Sequence, residues 1–281
     1  MQKSLKRYFP LFVLPTVAAF LIAFVIPFFM GIYLSFTKFS TVVDAKWVGF
    51  DNYIKAFSAN TDFINALGFT ALFTLVSVIA INLLAFILAL FLTKGLKGTN
   101  IFRTVFFMPN LIGGIVLGYI WQLIINGVLR SSGVTLLANS KYGFWGLVVL
   151  MAWQMSGYMM IIYIAGIQNI PVELMEAADV DGASLSQKLF KITIPMVMPS
   201  FTICSFLTLT NSFKLFDQNL ALTAGGPAKQ TAMLALDIYN TFYGSVGSEG
   251  IGQAKAVVFF LMVALIALFQ LGFTRSKEVE G

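Results

Sequence analysis

The chain has 281 residues, a mean hydropathy of +0.87 and only 11% charged residues. A water-soluble domain of this length could not bury so much apolar surface, so the composition favours a membrane protein. The net charge of +6 is not gathered into one basic segment, which argues against nucleic-acid binding, and the absence of histidine excludes His-based catalytic triads and nearly all zinc chemistry.

Six segments that lack Asp, Glu, Lys and Arg determine the predicted architecture. Each is at least 19 residues long, and about 20 apolar residues of helix cross the hydrocarbon core of a bilayer. The chain is therefore predicted to be an all-α membrane protein with six transmembrane helices in a single domain, residues 1–281. The first segment is too long for a cleaved signal peptide and is expected to be retained. The predicted spans are 10–36, 66–93, 104–126, 143–168, 192–213 and 256–273.

The orientation in the membrane follows from the Lys and Arg residues of the connections. With a cytoplasmic N-terminus, the inside segments 1–7, 94–103, 169–191 and 274–281 carry ten of the 18 basic residues, at about twice the density of the outside connections. We therefore expect a multi-pass protein of the cell (plasma or inner) membrane with both termini in the cytoplasm. The long connection 214–255 is then extracellular.

Local signals appear along the spans and the extracellular connection. Pro27, near the middle of the first span, removes one backbone hydrogen bond and predicts either a kink or a packing irregularity. Gly114 and Gly118 form a small-residue face for close helix contact in the third span. The run Gly225-Gly226-Pro227 predicts a turn, and the fourfold spacing of apolar residues over 234–242 predicts a short amphipathic helix after it.

The connection 169–191 is acidic, in contrast to the rest of the chain. An amphipathic connector that rests on lipid headgroups is one reading, but anionic lipid would repel such a segment. A basic pocket on a partner protein is a better match for its charge. Four acidic residues fall within nine positions: Glu173, Glu176, Asp179 and Asp181.

The same connection carries signals for two short helices. Pro171 suits the first turn of a helix, and Gly182 suits the left-handed residue that ends it. Ser184 and Gln187 have the spacing of a capping box and predict the start of a second helix. Pro195 then marks the beginning of the fifth span. The sequence therefore predicts two short helices joined by a tight turn at the cytoplasmic surface of the membrane.

Residues for catalysis or ion coupling are missing from the sequence. The dipeptide Gly-Lys does not occur, so no ordinary phosphate-binding loop is present, and an enzyme is not expected. The predicted spans contain no charged side chain, which argues against ion coupling and indicates that energy arrives from another subunit. A pathway of amides and aromatics without charges would suit a neutral, hydroxyl-rich solute. The uncharged polar residues of the spans include Asn82, Gln122, Asn126, Gln154, Tyr158, Tyr163, Asn211 and Ser212.

The acidic connection resembles a known pattern. The stretch EAADVDGASLSQKLFKITIP is similar to the motif of the permeases of ATP-binding-cassette importers, with Ile194 in place of the usual Leu. The segments WVGFDNY (47–53), FRTVFFMP (102–109) and LTAGGP (222–227), together with Trp121, resemble the carbohydrate-uptake class of these permeases. The resemblance assigns contact with the ATPase to Glu176, Ala177, Ala178, Gly182, Ile192 and Pro195.

The resemblance also implies partners and a substrate. The two short helices would be coupling helices that dock into an ATPase subunit, in a complex of two ATPase copies, a homologous second permease and an external solute-binding protein. ATP and Mg²⁺ would be bound by the ATPase subunits, and this chain would hold no cofactor and no metal. A sugar would be the substrate. One alternative is an importer permease of the same kind for another small solute, a polyamine or glycerol phosphate. The other alternative is an ion-coupled secondary transporter. The implied substrate path comprises Gln154, Tyr158, Asn211 and Ser212.

Overall fold

The structure, a computed structural model, describes residues 2–58, 62–95 and 97–275. These residues are mostly helical, and the prediction of an all-α membrane fold is confirmed. The end of the predicted inside segment 274–281 lies outside the described residues, as does Met1.

The described chain divides into two compact units. One combines the segment up to Phe63 with Ile238–Leu261, and the other combines Ile64–Asp237 with the segment from Met262 onward. The single domain predicted for residues 1–281 stays a prediction.

Helices α1 to α14 follow one another along the described residues, with one small sheet. The strands β1 (Thr37–Lys38) and β2 (Lys46–Trp47) pair antiparallel between α2 and α3. The helices are α1 (Gln2–Phe20), α2 (Ile26–Ser35), α3 (Asp51–Ala56), α4 (Phe63–Leu92), α5 (Thr99–Phe107), α6 (Gly114–Leu129), α7 (Ser140–Gln168), α8 (Val172–Val180), α9 (Leu185–Lys188), α10 (Ile194–Met196), α11 (Met198–Phe213), α12 (Asp217–Leu222), α13 (Leu234–Gly244) and α14 (Glu249–Arg275).

Five helical segments of the described residues are long and apolar enough to cross a membrane. They overlap the first, second, third, fourth and sixth predicted spans. The region of the fifth predicted span is a bent pair, Leu185–Met196 and Met198–Phe213, whose axes differ by 66°. The five segments are Val13–Ser35, Phe63–Leu92, Gly114–Ser132, Ser140–Gln168 and Glu249–Gln270.

Two π-helical turns lie immediately before prolines. In the first span, the N–H of Ile26 bonds to the carbonyl of Leu21, five residues back, one position ahead of Pro27. The N–H of Ile194 bonds to the carbonyl of Leu189 in the same way, one position ahead of Pro195. Proline has no N–H and its ring clashes with the carbonyl four residues back, so the wider turn accommodates the ring. The irregularity predicted at Pro27 is therefore a π turn.

The third predicted span, 104–126, is not one helix. Helix α5 ends at Phe107, a 3₁₀ turn covers Met108–Leu111, and α6 begins only at Gly114. Pro109 lacks the N–H that would continue the helix of α5, so the chain turns there. The break could not be predicted from the apolar composition of this stretch, because a segment without charged residues can still contain a change of direction.

The close-contact face of α6 is confirmed, although its neighbour is a short helix. A Cβ added at Gly118 would lie 2.5 Å from the Cβ of Ala221 in α12, and one added at Gly114 would lie 2.8 Å from the Cβ of Asp217. Two backbones that approach this closely require residues without side chains. Helix α12 belongs to the predicted extracellular connection, so part of that connection folds back against α6.

Helix α7 is the central element of the second unit and the most buried of the candidate spans. Its Tyr163 is fully buried and donates a hydrogen bond of 2.7 Å to Oδ1 of Asn82 in α4. Asn82 in turn donates from Nδ2 to Oγ1 of Thr208 in α11, at 2.9 Å. Three helices are thus joined by one buried polar chain, which satisfies groups that would otherwise be costly in this apolar interior.

The connection after α11 contains the two local features that were predicted for it. Gly226 donates its N–H to the carbonyl of Thr223 at 2.8 Å, which closes the predicted turn. The predicted amphipathic helix is α13, and its first residue, Leu234, is buried.

Candidate functional site

The predicted two-helix module is formed by α8 and α9. Pro171 precedes the first residue of α8 as its N-cap, one position earlier than expected, and Glu173 lies in the first turn. A carboxylate near the N-terminus of a helix is stabilised by the partial positive charge of the free N–H groups. All residues of the module belong to the second unit.

Gly182 ends α8 as predicted. Its φ of +71° is in the left-handed region, where residues with a Cβ are strained. The N–H of Gly182 bonds to the carbonyl of Asp179, and the N–H of Ala183 bonds to the carbonyl of Ala178 at 2.9 Å. This pair of bonds is a Schellman-type ending, which fixes the direction in which the chain leaves the helix.

The predicted capping box at the start of α9 is confirmed. The N–H of Gln187 donates to Oγ of Ser184 at 3.3 Å, and the N–H of Ser184 donates to Oε1 of Gln187 at 2.7 Å. Two backbone donors that the helix cannot satisfy are therefore paired locally. The turn between α8 and α9 is therefore specified by hydrogen bonds on both of its sides.

One acid of the module has a local partner. Asp179 forms an ion pair with Lys188, which is buried beneath it and connects α8 to α9. This ion pair offsets the charge of one of the four acidic residues of the module. The sequence alone did not predict the pair. The acids that remain exposed without an ion pair to another described residue are Glu173, Glu176 and Asp181.

The module also presents apolar side chains that sequence reasoning missed. Val180 is 89% exposed and Leu185 is 84% exposed, and they flank the turn at Gly182. Two large apolar residues that are this exposed and flank one turn indicate a surface that contacts a protein or lipid. The signal in the sequence was the placement of Val and Leu at the two helix ends next to the turn, where neither can pack inward.

The other residues assigned to the ATPase contact differ in accessibility. Glu176, Ala177 and Gly182 are exposed, whereas Ala178 is buried and supports the module from within. Ile192 and Pro195 are half-buried and lie at the junction that leads into α11.

That junction contains the bend of the fifth predicted span. Ile192 belongs to the π turn Leu189–Thr193, and the helix axis changes direction by 66° at Val197. The N–H of Val197 still reaches the carbonyl of Thr193 at 3.0 Å, so the bend preserves backbone hydrogen bonding. The module is thereby joined to α11 through a sharp but hydrogen-bonded corner.

A polar cavity of about 410 Å³ lies elsewhere in the second unit, between α7, the 3₁₀ turn before α6, and the end of α11 with the start of α12. Its volume is within the range of small-molecule sites. Four amide side chains and two charged ones face it. The lining residues are Asn110, Met151, Gln154, Met155, Asn211, Lys214, Leu215, Phe216, Asp217 and Gln218.

Two of the four residues assigned to the substrate path line this cavity. Gln154 is buried, donates from Nε2 to the carbonyl of Ile112 at 3.3 Å, and accepts from Nε2 of Gln218 at 2.8 Å. Asn211 donates from Nδ2 to the carbonyl of Leu207 at 2.8 Å, which leaves its oxygen available. These hydrogen bonds orient the two amides in the lining of the cavity.

The other two residues of the predicted path are not among the cavity's lining residues. The ring of Tyr158 packs edge-on against Phe107, with centroids 6.3 Å apart. Ser212 is fully buried, and its hydroxyl has no hydrogen-bond partner among the described residues. Ser212 directly follows the lining residue Asn211, and Tyr158 lies one helical turn beyond the lining residue Gln154. Position in the sequence alone could not show which side chains of each helix line the cavity.

Two charged side chains, Lys214 and Asp217, also line this cavity, and the charge-free spans did not predict them there. Neither side chain forms an ion pair with another described residue. They were assigned to the extracellular connection since they follow the charge-free window that ends at Phe213. Because α12 folds back toward α6, residues just beyond the span return to the cavity.

Comparison with known proteins identifies the family. A model of the family described as "Binding-protein-dependent transport system inner membrane component" matches residues 94–277, which include the module and the cavity. The chain belongs to this family. The expected membrane location of this permease is confirmed at that level, and the cytoplasmic position of both termini stays a prediction.

Curated relatives cover nearly the whole permease. It is 42% identical to the probable starch degradation products transport system permease protein AmyD of Thermoanaerobacterium thermosulfurigenes, over 96% of this chain and 94% of the relative. It is 29% identical to the multiple sugar-binding transport system permease protein MsmF of Streptococcus mutans, over 99% of both chains. These relatives are transport permeases, and the expectation that the chain is not an enzyme is confirmed on that basis.

A solved structure shares the fold of the permease. The crystal structure of a bacterial alginate ABC transporter in complex with an alginate pentasaccharide-bound periplasmic protein contains a chain that matches with a TM-score of 0.83 and 22% identity, over 100% of this permease and 99% of that chain. The predicted importer-permease fold is therefore confirmed.

Proposed function

We propose that this permease is the membrane-spanning subunit of an ATP-driven, binding-protein-dependent importer of sugars, and that it forms half of the translocation pathway. The observation that carries the proposal is the similarity to AmyD, whose name assigns it to starch degradation products, over 96% of the chain. The polar cavity supports the same conclusion, since hydroxyl-rich solutes are bound through amides and carboxylates at fixed positions.

The partners follow from this assignment. The permease pairs with a homologous second permease and two ATPase subunits that bind ATP and Mg²⁺, and it receives solute from an external solute-binding protein. The module α8–α9 faces the cytoplasm, as do both termini. Its exposed Glu176 and Asp181 meet a basic cleft of the ATPase, and the apolar pair Val180 and Leu185 fills the base of that cleft.

Closure of the two ATPase subunits around ATP moves the module as a rigid body. The module can move in this way because its turn is fixed by the Schellman-type ending and by the capping box. Through the bent junction at Val197, the motion passes to α11, whose end carries Asn211. Packed helices switch between discrete arrangements, so the cavity opens alternately to the two sides of the membrane.

The cavity provides both the hydrogen-bond donors and the hydrogen-bond acceptors that a sugar hydroxyl needs. The carboxylate of Asp217 accepts hydrogen bonds from two neighbouring hydroxyls, the ammonium of Lys214 donates, and the side-chain oxygen of Asn211 accepts. Phe216 offers a ring for the apolar face of a pyranose. The two charges are opposite in sign, so the lining as a whole suits a neutral solute.

A phosphorylated polyol is the second candidate substrate. The permease is 27% identical to the sn-glycerol-3-phosphate transport system permease protein UgpA of Agrobacterium fabrum, over 85% of this chain. Lys214 could pair with a phosphate, although Asp217 in the same lining would oppose it.

Reconstitution in liposomes with the co-purifying ATPase and solute-binding protein tests the proposed function. We expect ATP hydrolysis to rise when a neutral oligosaccharide is added, and uptake to continue when ion gradients are dissipated with an ionophore. Stimulation by glycerol 3-phosphate alone would establish the second candidate. Uptake that requires an ion gradient and no ATPase would overturn the proposal.

The cavity can be tested with two variants. Replacing Asp217 by Asn removes a charged acceptor, and such hydrogen bonds contribute about 1.5–3 kcal/mol, so the sugar concentration for half-maximal uptake should rise about tenfold or more. Replacing Asn211 by Ala should raise it by a smaller factor, because a neutral hydrogen bond contributes about 1 kcal/mol. Uptake of labelled sugar in vesicles measures both effects. Asn100, exposed on α5, provides the control, and Asn100→Ala should leave uptake unchanged. If the Asp217→Asn variant takes up sugar as the unaltered protein does, the cavity is not part of the translocation pathway.

A further inference from the structure

A second polar cavity lies in the first unit, beside the small β-sheet. Lys38 of β1 and Lys46 of β2 are directly opposite each other in the antiparallel pair, and both side chains are exposed. The cavity has a volume of about 300 Å³. Its lining residues are Lys38, Phe39, Ser40, Asp44, Lys46 and Gly247.

The two positive charges of this cavity are only partly balanced by the described residues of its lining. Like charges directly opposite each other on paired strands are destabilising, and neither ammonium makes a hydrogen bond or ion pair with a described side chain. Asp44 lines the same cavity, but one of its oxygens accepts from the N–H groups of Ser40 and Thr41, at 3.0 and 2.9 Å. These two bonds hold the pKa of Asp44 below its usual value, so the carboxylate stays charged. The lining therefore keeps a net charge of +1, and an anion would relieve the repulsion.

The position of the cavity along the chain sets its depth relative to a membrane. Lys38 follows the candidate span Val13–Ser35 by three residues, which is at most about 10 Å of extended chain. Gly247 precedes the candidate span Glu249–Gln270 by two residues. The polar headgroup layer on each side of a bilayer is about 5–8 Å thick, so we infer that the lysines lie in or next to this layer.

The aromatic and apolar side chains around the sheet are also of the kind found at the lipid headgroups of a membrane. The ring of Trp47 stacks on Phe36, with centroids 5.4 Å apart, and approaches Tyr33 at 6.0 Å. Trp and Tyr at the end of a span are typical of the membrane–water interface. The turn of the hairpin carries Val42, which is exposed, and Val43, which is 98% exposed. Apolar side chains at a hairpin tip next to two lysines fit a surface that contacts lipid.

We propose that Lys38, Lys46 and the hydroxyl of Ser40 bind the phosphate of an anionic phospholipid headgroup. Two ammonium groups and a hydroxyl donate to phosphate oxygens, while the apolar tip and Trp47 contact the acyl region of the same interface. An acidic protein surface has the same charge, but it would leave the exposed valines of the tip without an apolar environment. The headgroup depth of the lysines therefore favours lipid.

Native mass spectrometry of the full-length permease tests this site. The protein in detergent is titrated with phosphatidylglycerol and with phosphatidylcholine of the same acyl composition. We expect one phosphatidylglycerol to bind about tenfold more tightly than phosphatidylcholine, because each lysine near an anionic headgroup strengthens the electrostatic attraction to that lipid. Lys38→Gln combined with Lys46→Gln should reduce that preference to about twofold or less.

Two control variants separate a binding site from a general charge effect. Lys55→Gln with Lys141→Gln removes the same charge from exposed positions and should retain the preference. Lys38→Arg with Lys46→Arg should retain it as well. If the Lys55→Gln, Lys141→Gln variant loses the preference for phosphatidylglycerol, the proposal is overturned, because the net charge of the protein would then explain the preference.

The source of the phosphate is distinguished in the same experiment. Millimolar inorganic phosphate should not displace phosphatidylglycerol, and full displacement would show a site for the free anion instead. If the glutamine double variant keeps its lipid preference and loses only the salt-dependent association with a solute-binding protein, the surface serves a protein partner and the proposal fails.

Discussion

Replacement of Gly182 by valine is expected to abolish sugar uptake in the reconstituted complex while leaving the permease inserted in the membrane. The φ of +71° costs a residue with a Cβ roughly 1–2 kcal/mol, and a β-branched side chain costs more. The valine would open the turn that ends α8 and reorient Val180 and Leu185 relative to each other. Uptake and sugar-stimulated ATP hydrolysis should each fall about tenfold or more.

Gly133 provides a closely matched control. Its φ is +70°, and, as at Gly182, an added Cβ would meet no atom within 4 Å. Gly133→Val therefore introduces the same backbone strain in a connection outside the module. We expect normal coupling in this variant. If both variants lose activity equally, the strain acts on folding and the role of the module is not supported.

The second large effect is expected at Gly157 in α7. A Cβ at this position would overlap the backbone carbonyl of Phe106 and lie 2.9 Å from the N of Phe107. Because both neighbours are backbone atoms, no side-chain rotation can make room, and α5 would have to move away from α7. Gly157→Ala should lower the free energy of unfolding by about 1–3 kcal/mol or more. Thermal unfolding in detergent, together with the yield of folded permease, measures the loss.

The comparison for this variant is Gly166, on the same helix. A Cβ there would meet the hydroxyl of Ser200, which is a side-chain atom and can rotate. Its hydrogen bond to the carbonyl of Ile162 is long, at 3.4 Å. Gly166→Ala should therefore be clearly less destabilising than Gly157→Ala. Equal losses would mean that the helices adjust freely and that the α5–α7 contact is not rigid.

The membrane fold could be predicted from the sequence because apolar length is a strong physical constraint. Helices α4 and α7 coincide closely with charge-free segments, since a charged side chain in the hydrocarbon is costly. The interruptions were harder to predict. Pro109 marks a real break, whereas Pro27 and Pro195 each follow a π turn within a continuous helical segment, and the 66° bend comes only at Val197. The outcome at each proline depends on the neighbours that pack around it.

The module was predicted in detail because its signals are local. Gly182 and the Ser184–Gln187 pair act through backbone atoms within a few residues, so spacing alone determines the geometry. The pairing of Asp179 with Lys188 depends on how the two helices fold together, and the sequence did not show it.

The cavity could be predicted only in part because its walls come from distant segments. Gln154 and Asn211 were identified as polar groups within spans, but Lys214 and Asp217 reach the cavity only through the return of α12. That return depends on Gly114 and Gly118, whose small size was noted in the sequence without knowledge of which helix would approach them.

Cys204 is fully buried, and its Sγ contacts the carbonyl of Met159 at 3.7 Å. It is also the sole thiol of the sequence. A polar maleimide that cannot enter the folded protein will therefore label only cysteines introduced by design, and no cysteine-free background has to be constructed first. Single cysteines at Val180 and Val43, both almost fully accessible, would report from intact cells and from inverted vesicles which face of the membrane each position occupies.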